Sequence, residues 1–150
     1  MEATTTDSVD GKGTPTAAIL SDVQVAVEDP TSERPGRKPL GVFQVNYNAV
    51  DVKDIDITID GFVDNTAEIT AAILAALTTS INNIRPYIDS ISPLADKNDI
   101  LDTNLIISKI LEANPGSVFG TITLVVGGST VSTYTFDNGE IPFLNSISYT

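Results

Sequence analysis

Apolar positions along the chain repeat with a period of two in some stretches and near 3.6 in others, and each change of period marks an element. The clearest strand is centred on Ile55, Ile57 and Ile59, which alternate with Asp54, Asp56, Thr58 and Asp60. That is the pattern of a strand with one buried face, within a stretch from Val42 to Asp60 rich in Val, Ile, Phe and Tyr. Val50 and Val52 have the opposite parity, so a bulge near Lys53 is expected if both sets face the core. Gly61 ends the strand. Asn65, with Glu68 three residues on, resembles a capping box, and Ile69, Ala72, Ile73, Ala76, Leu77, Ser80, Ile81 and Ile84 follow at helical spacing up to Arg85-Pro86.

A second helix is expected from Thr103 to Ala113, capped by Asp102 or Thr103, with Ile106, Ile107, Ile110 and Leu111 on one side and Asn114-Pro115-Gly116 at its end. Ile100-Leu101 before it reads as a short edge strand. Val118 to Val126 alternates as a strand, Gly127-Gly128 supplies a tight hairpin turn, and a return strand runs from Thr130 to Phe136. Asp137-Asn138-Gly139 marks a further turn before a last strand near Asn145 to Tyr149. Upstream, residues 1 to 13 read as a flexible lead-in. Thr14-Pro15 starts a helix over 15 to 28 with Ile19, Leu20, Val23 and Val27 on one face, and Pro30, Pro35, Gly36, Pro39 and Gly41 make an extended connector. The expected fold class is α+β: a mainly antiparallel sheet with two helices packed on one face, plus an N-terminal amphipathic helix. The expected division is residues 1–41 for lead-in, helix and connector, and residues 42–150 for the α+β domain.

Composition sharpens this picture. With 150 residues, 41% of them hydrophobic and 19% charged, the chain has material for a core without metals or covalent staples. It has no cysteine and no histidine, which removes disulfides, thiolate metal sites, Cys nucleophiles, Ser-His-Asp arrangements and the commonest general base. A net charge of −12 repels phosphate backbones and anionic membranes, so neither nucleic acid nor membrane insertion is expected. The N-terminus has neither the basic nor the apolar region of a leader, and no run is long enough to span a bilayer, so the chain reads as made in the cytoplasm.

The remaining chemistry is carboxylate. Asp56-Ile57-Thr58-Ile59-Asp60-Gly61 imitates the start of a calcium loop, but the position of the closing bidentate Glu is Ala67, with Glu68 one residue out of step. A strand with a charged outer face explains the same residues. Gly11-Lys12-Gly13-Thr14 echoes the end of a phosphate loop, yet it lacks the upstream glycine, the preceding strand and the hydroxyl directly after Lys. Aromatics are 6% with no Trp, a poor basis for carbohydrate stacking, so Phe43, Tyr47, Tyr134, Phe136 and Phe143 are expected in the core or at subunit interfaces. No catalytic residue, metal, cofactor or small-molecule substrate is expected.

One succession of features carries a resemblance. A helix ending at Asp29-Pro30 is followed by Arg34-Pro35, by Arg37-Lys38-Pro39-Leu40-Gly41 and by the strand Val50 to Gly61. Then come helices Thr66 to Ile84 and Thr103 to Ala113, the turn Asn114-Pro115-Gly116-Ser117, and the ending Asn138-Gly139-Glu140-Ile141-Pro142-Phe143-Leu144-Asn145-Ser146-Ile147. Over residues 14 to 150 this order resembles the C-terminal region of the baseplate J-like family of contractile-tail phages, which includes the Mu-type wedge protein. In that family, too, the last stretch carries an acidic residue, then Pro and Leu, then a closing strand. The chain departs from the pattern in its long connector and in lacking the Gly-Val that often opens the strand after the turn. The N-terminal portions of family members have no counterpart here, which implies a piece of a longer protein or a short member.

The resemblance implies a non-enzymatic scaffold in the virion tail baseplate: a subunit that pairs with itself and with other baseplate or tail proteins to close a ring around the hub. Any site would then be an interface, with Arg34, Arg37 and Lys38 of the connector and Ile19 and Val23 of the amphipathic helix as candidates. The alternative reading is a small metal- or ligand-binding α+β module; a carboxylate-based enzyme is a third.

Overall fold

The computed structural model describes residues 6–28, 45–63, 65–84 and 98–150. The chain divides into two compact units, residues 1–51 and 52–150, a boundary further along than the proline-rich connector had implied. In the first unit, residues 8 to 15 form a tight loop instead of a flexible lead-in. Ser8 bridges Pro15, the Val9 amide donates to the Thr14 carbonyl at 2.9 Å, and Gly11 and Gly13 take positive φ. The loop folds around Asp10, whose carboxylate accepts the Lys12 amide at 2.8 Å and the Thr14 hydroxyl at 2.7 Å. Because Thr14 is held there, it does not cap the helix: α1 (Ala17–Glu28) starts two residues later than expected, with the Thr16 hydroxyl accepting the Ile19 amide at 3.2 Å.

The second unit is the α+β body. Its elements are β1 (Asp51–Ile59, whose first residue belongs to the other unit), α2 (Ala67–Asn82), β2 (Ile100–Asp102), α3 (Thr103–Ala113), β3 (Ile122–Val126), β4 (Ser129–Val131), β5 (Thr133–Thr135) and β6 (Glu140–Tyr149). Four strands form one sheet in the order β4-β3-β1-β6, and β2 with β5 forms a second, two-stranded sheet. β1 and β3 are antiparallel with Ile55 opposite Val126, Ile57 opposite Leu124 and Ile59 opposite Ile122. This ladder is regular from Ile55 onward. Upstream of it, Val50 is buried and Val52 half-buried, while all three isoleucines are fully enclosed.

The core lies between that sheet face and the two helices, as the α+β reading expected. Ile55, Ile57, Ile59, Leu124 and Val126 meet Ile73, Leu77 and Ile81 of α2 and Ile106 and Ile110 of α3 in one cluster, which Phe62, Ile84, Leu101 and Phe136 complete. α2 lies over β6, and α3 over β3. Asp102 caps α3, accepting the Leu105 amide at 2.6 Å. The α3 stripe is narrower than expected: Ile107 is half-buried and Leu111 exposed.

Two departures follow from tertiary pairing. The single return strand expected after Gly127-Gly128 is two strands, β4 on the large sheet and β5 on the small one. The chain switches sheets at Ser132, whose carbonyl accepts the Thr103 amide at 3.0 Å. The closing strand is also longer than expected and lies parallel to β1. The Thr150 amide donates to the Ile59 carbonyl and the Gly61 amide to the Thr150 carbonyl. The side-chain bonds from Asn145 and Ser146 to Asp56, and from Thr150 to Asp60, keep a near-constant separation of 89 or 90 residues, which only a parallel pair allows. The other pairings, β1–β3, β3–β4 and β2–β5, are antiparallel.

Candidate functional site

The surface with most to offer a partner is built on α2. Thr66, not Asn65, is its N-cap, accepting the Ile69 amide, and the helix stops at Asn82 with Asn83 as C-cap. Its inward residues Ile73, Leu77 and Ile81 recur every four positions and are fully buried. Over the sixteen residues of α2 the one charged side chain is Glu68, so both flanks of the buried stripe are neutral. A surface helix of a soluble protein ordinarily carries charge on its outer face; this one presents Ala71, Ala72, Leu74 and Ala75 instead.

A groove runs along each flank. The wider, of about 530 Å³, lies between α2 and α3, where Ala72, Ala75, Ala76 and Thr79 face Leu105 and Ala113 and the Lys109–Glu112 ion pair sits at the rim. The narrower, of about 390 Å³, lies between α2 and β6 and is lined by Ala67, Thr70, Ala71 and Leu74 on the helix and by Leu144, Ile147 and Tyr149 on the strand. Tyr149 packs tilted against Phe62 with ring centroids 5.1 Å apart, and its buried hydroxyl finds no partner among the described residues. Burial raises the pKa of that hydroxyl.

β6 is held in place by two polar clusters. At its start, the Glu140 carboxylate pairs with Lys53 at 3.0 Å and accepts the Asp137 amide at 2.9 Å and the Tyr134 hydroxyl at 3.1 Å. Burial pushes the Glu140 carboxyl up, but the Asp137 amide, Lys53 and Tyr134 outweigh it and hold the group below its ordinary value. Burial, and then the bond to Glu140, raise the Tyr134 hydroxyl. This cluster ties β1, β5 and the 137–139 turn to the first residue of β6. Further along, Asp56 accepts Asn145 Nδ2 at 2.7 Å and Ser146 Oγ at 2.5 Å, and Asp60 accepts the Thr150 hydroxyl at 3.2 Å. Two of the carboxylates that imitate a calcium loop are thus clamps between the parallel strands.

The other sequence candidates resolve as follows. Ile19 and Val23 share one face of α1 with Leu20 and Val27, all four half-buried, and no residue of α1 is fully buried. Arg34, Arg37 and Lys38 lie outside the described residues, as does Phe43. The glycines and lysine that echo a phosphate loop do surround an anion, but it is the chain's own Asp10. The Thr14 hydroxyl and then the Lys12 amide hold its carboxyl below the ordinary range. Tyr134 and Phe136 pack edge to face at 4.8 Å. Reading the sequence for core and chemistry passed over the neutral flanks of α2, although the want of charge at its outward positions was visible there. No protein-family model matches the chain, and no curated protein matches it significantly.

Proposed function

We propose that this chain is a non-enzymatic structural subunit of a contractile phage tail or a phage-like injection baseplate, contacting copies of itself and other tail proteins in the virion. The supporting observation is the order of elements: β1, α2, α3 and β6 fall on the stretches whose succession resembles the baseplate J-like family. Glu140, the acidic residue of the closing stretch in that resemblance, ties the start of β6 to Lys53, Tyr134 and Asp137, a structural reason for an acid there. Neutral flanks on α2 and a half-buried apolar face on α1 suit protein contacts. The net charge of −12 disfavours nucleic acid as a partner.

The test is genetic and visual. Deleting the gene from the genome that carries it, and imaging the particles by electron microscopy, should give tails that lack a baseplate or fail to assemble. Replacing the gene with an Ile19→Ala/Val23→Ala version should impair assembly without emptying the cell of the protein. Normal contractile tails after the deletion, or a genome that yields no tail-like particles, would sink the proposal.

A further inference from the structure

We infer that the outer edge of β6, with the flank of α2 beside it, is a self-association surface on which a second copy of this chain lays its own β6 antiparallel, joining two sheets across a twofold axis. β6 ends the order β4-β3-β1-β6, so among the described residues one of its edges has no neighbouring strand. Both main-chain groups of Thr150 turn toward β1. Alternation along a parallel strand therefore turns the amides and carbonyls of Ile147 and Tyr149 the other way, into the open edge. The opposite edge strand, β4, is three residues long and offers little to pair with. β6 is ten residues long and has no charged residue after Glu140, and Pro142, the residue that would discourage pairing, stands near its start.

The groove beside that edge fits the same contact. Ala67, Thr70, Ala71 and Leu74 recur at the spacing of one helix face, and the small size of the first three lets a neighbouring element come close to Leu74. Leu74 is 49% exposed, and the Tyr149 hydroxyl is a buried donor with no partner among the described residues. Charge selects the occupant. A basic segment from another protein would call for acidic residues in the groove, and none of the described residues that line it is acidic. Two copies carrying −12 each meet at least cost on a neutral strip. An edge strand paired antiparallel with its own copy is self-complementary, as a closed twofold contact requires.

This surface stands apart from the tail assignment, sharing with it only the expectation of self-contact. The experiment is light scattering on the full chain across a concentration series at low and high salt, paired with amide hydrogen exchange. A reversible dimer is expected, tightening as salt screens the like charges. The amides of Ile147 and Tyr149 should gain protection as concentration rises. Leu74→Lys should weaken the dimer about tenfold or more, because a charge is then desolvated at the contact. Val118→Lys, at an exposed apolar site elsewhere, should leave it unchanged. A monomer at all concentrations would overturn the inference, as would a dimer indifferent to Leu74→Lys, or unchanged exchange at Ile147 and Tyr149. A dimer indifferent to Leu74→Lys would leave the tail proposal standing, while normal tails after gene deletion would sink that proposal and leave this surface untouched.

Discussion

Replacing Glu140 tests the junction at which the two sheets are tied together. Its side chain is 14% exposed and that of Lys53 24%, so their ion pair at 3.0 Å is far less screened than a surface pair. Glu140→Ala also strips the acceptor from the Asp137 amide and the Tyr134 hydroxyl. A hydrogen bond to a charged group contributes roughly 1.5–3 kcal/mol, and bonds to one carboxylate do not add independently, so the expected loss is roughly 2–4 kcal/mol. For a chain of this size that lowers Tm by roughly 10 °C. Glu140→Gln keeps an oxygen for the amide and the hydroxyl and removes only the charge opposite Lys53, an expected loss of roughly 1–2 kcal/mol. The pH dependence has a definite sign. The folded carboxyl titrates below its ordinary value of 4.5, so its stabilisation is complete above that value and is lost as pH falls through the folded pKa. The stability difference between wild type and Glu140→Gln should therefore be full at neutral pH and shrink below about pH 4.5. Urea titrations followed by circular dichroism at several pH values measure it. A loss under about 0.5 kcal/mol for Glu140→Ala, or a difference that does not change with pH, would refute this account of the junction.

Two further substitutions probe the elements themselves. Asp102→Ala removes the cap that accepts the Leu105 amide and should cost about 1 kcal/mol in urea titration, with Asp102→Asn recovering most of it. Ile57→Ala, at a fully buried position opposite Leu124, should cost roughly 2–5 kcal/mol, while Ile57→Val costs about 1 kcal/mol, the spread measuring how far the core between β1 and α2 can collapse.

What the sequence settled by itself is what depends on near neighbours. The alternation of Ile55, Ile57 and Ile59, the four-residue recurrence of Ile73, Leu77 and Ile81, and the paired glycines at 127 and 128 each encode an element through sterics and burial over a few residues. The helix from Thr103 to Ala113 was legible to its ends, because its cap and terminator are local too. Where two local signals competed, the choice fell to contacts beyond the reach of a pattern: Asp10 took Thr14, and α1 was left to Thr16 for its cap. The split of the return strand at Ser132 and the parallel pairing of β6 with β1 were not legible, since strand partners are chosen by residues tens of positions away and alternation is the same in either direction. The candidate surface is divided in the same way. The want of charge on the outer face of α2 was in the sequence, but only the tertiary structure set that flank beside an open strand edge, because adjacency between residues so far apart in the chain is a property of the packed fold and not of any segment.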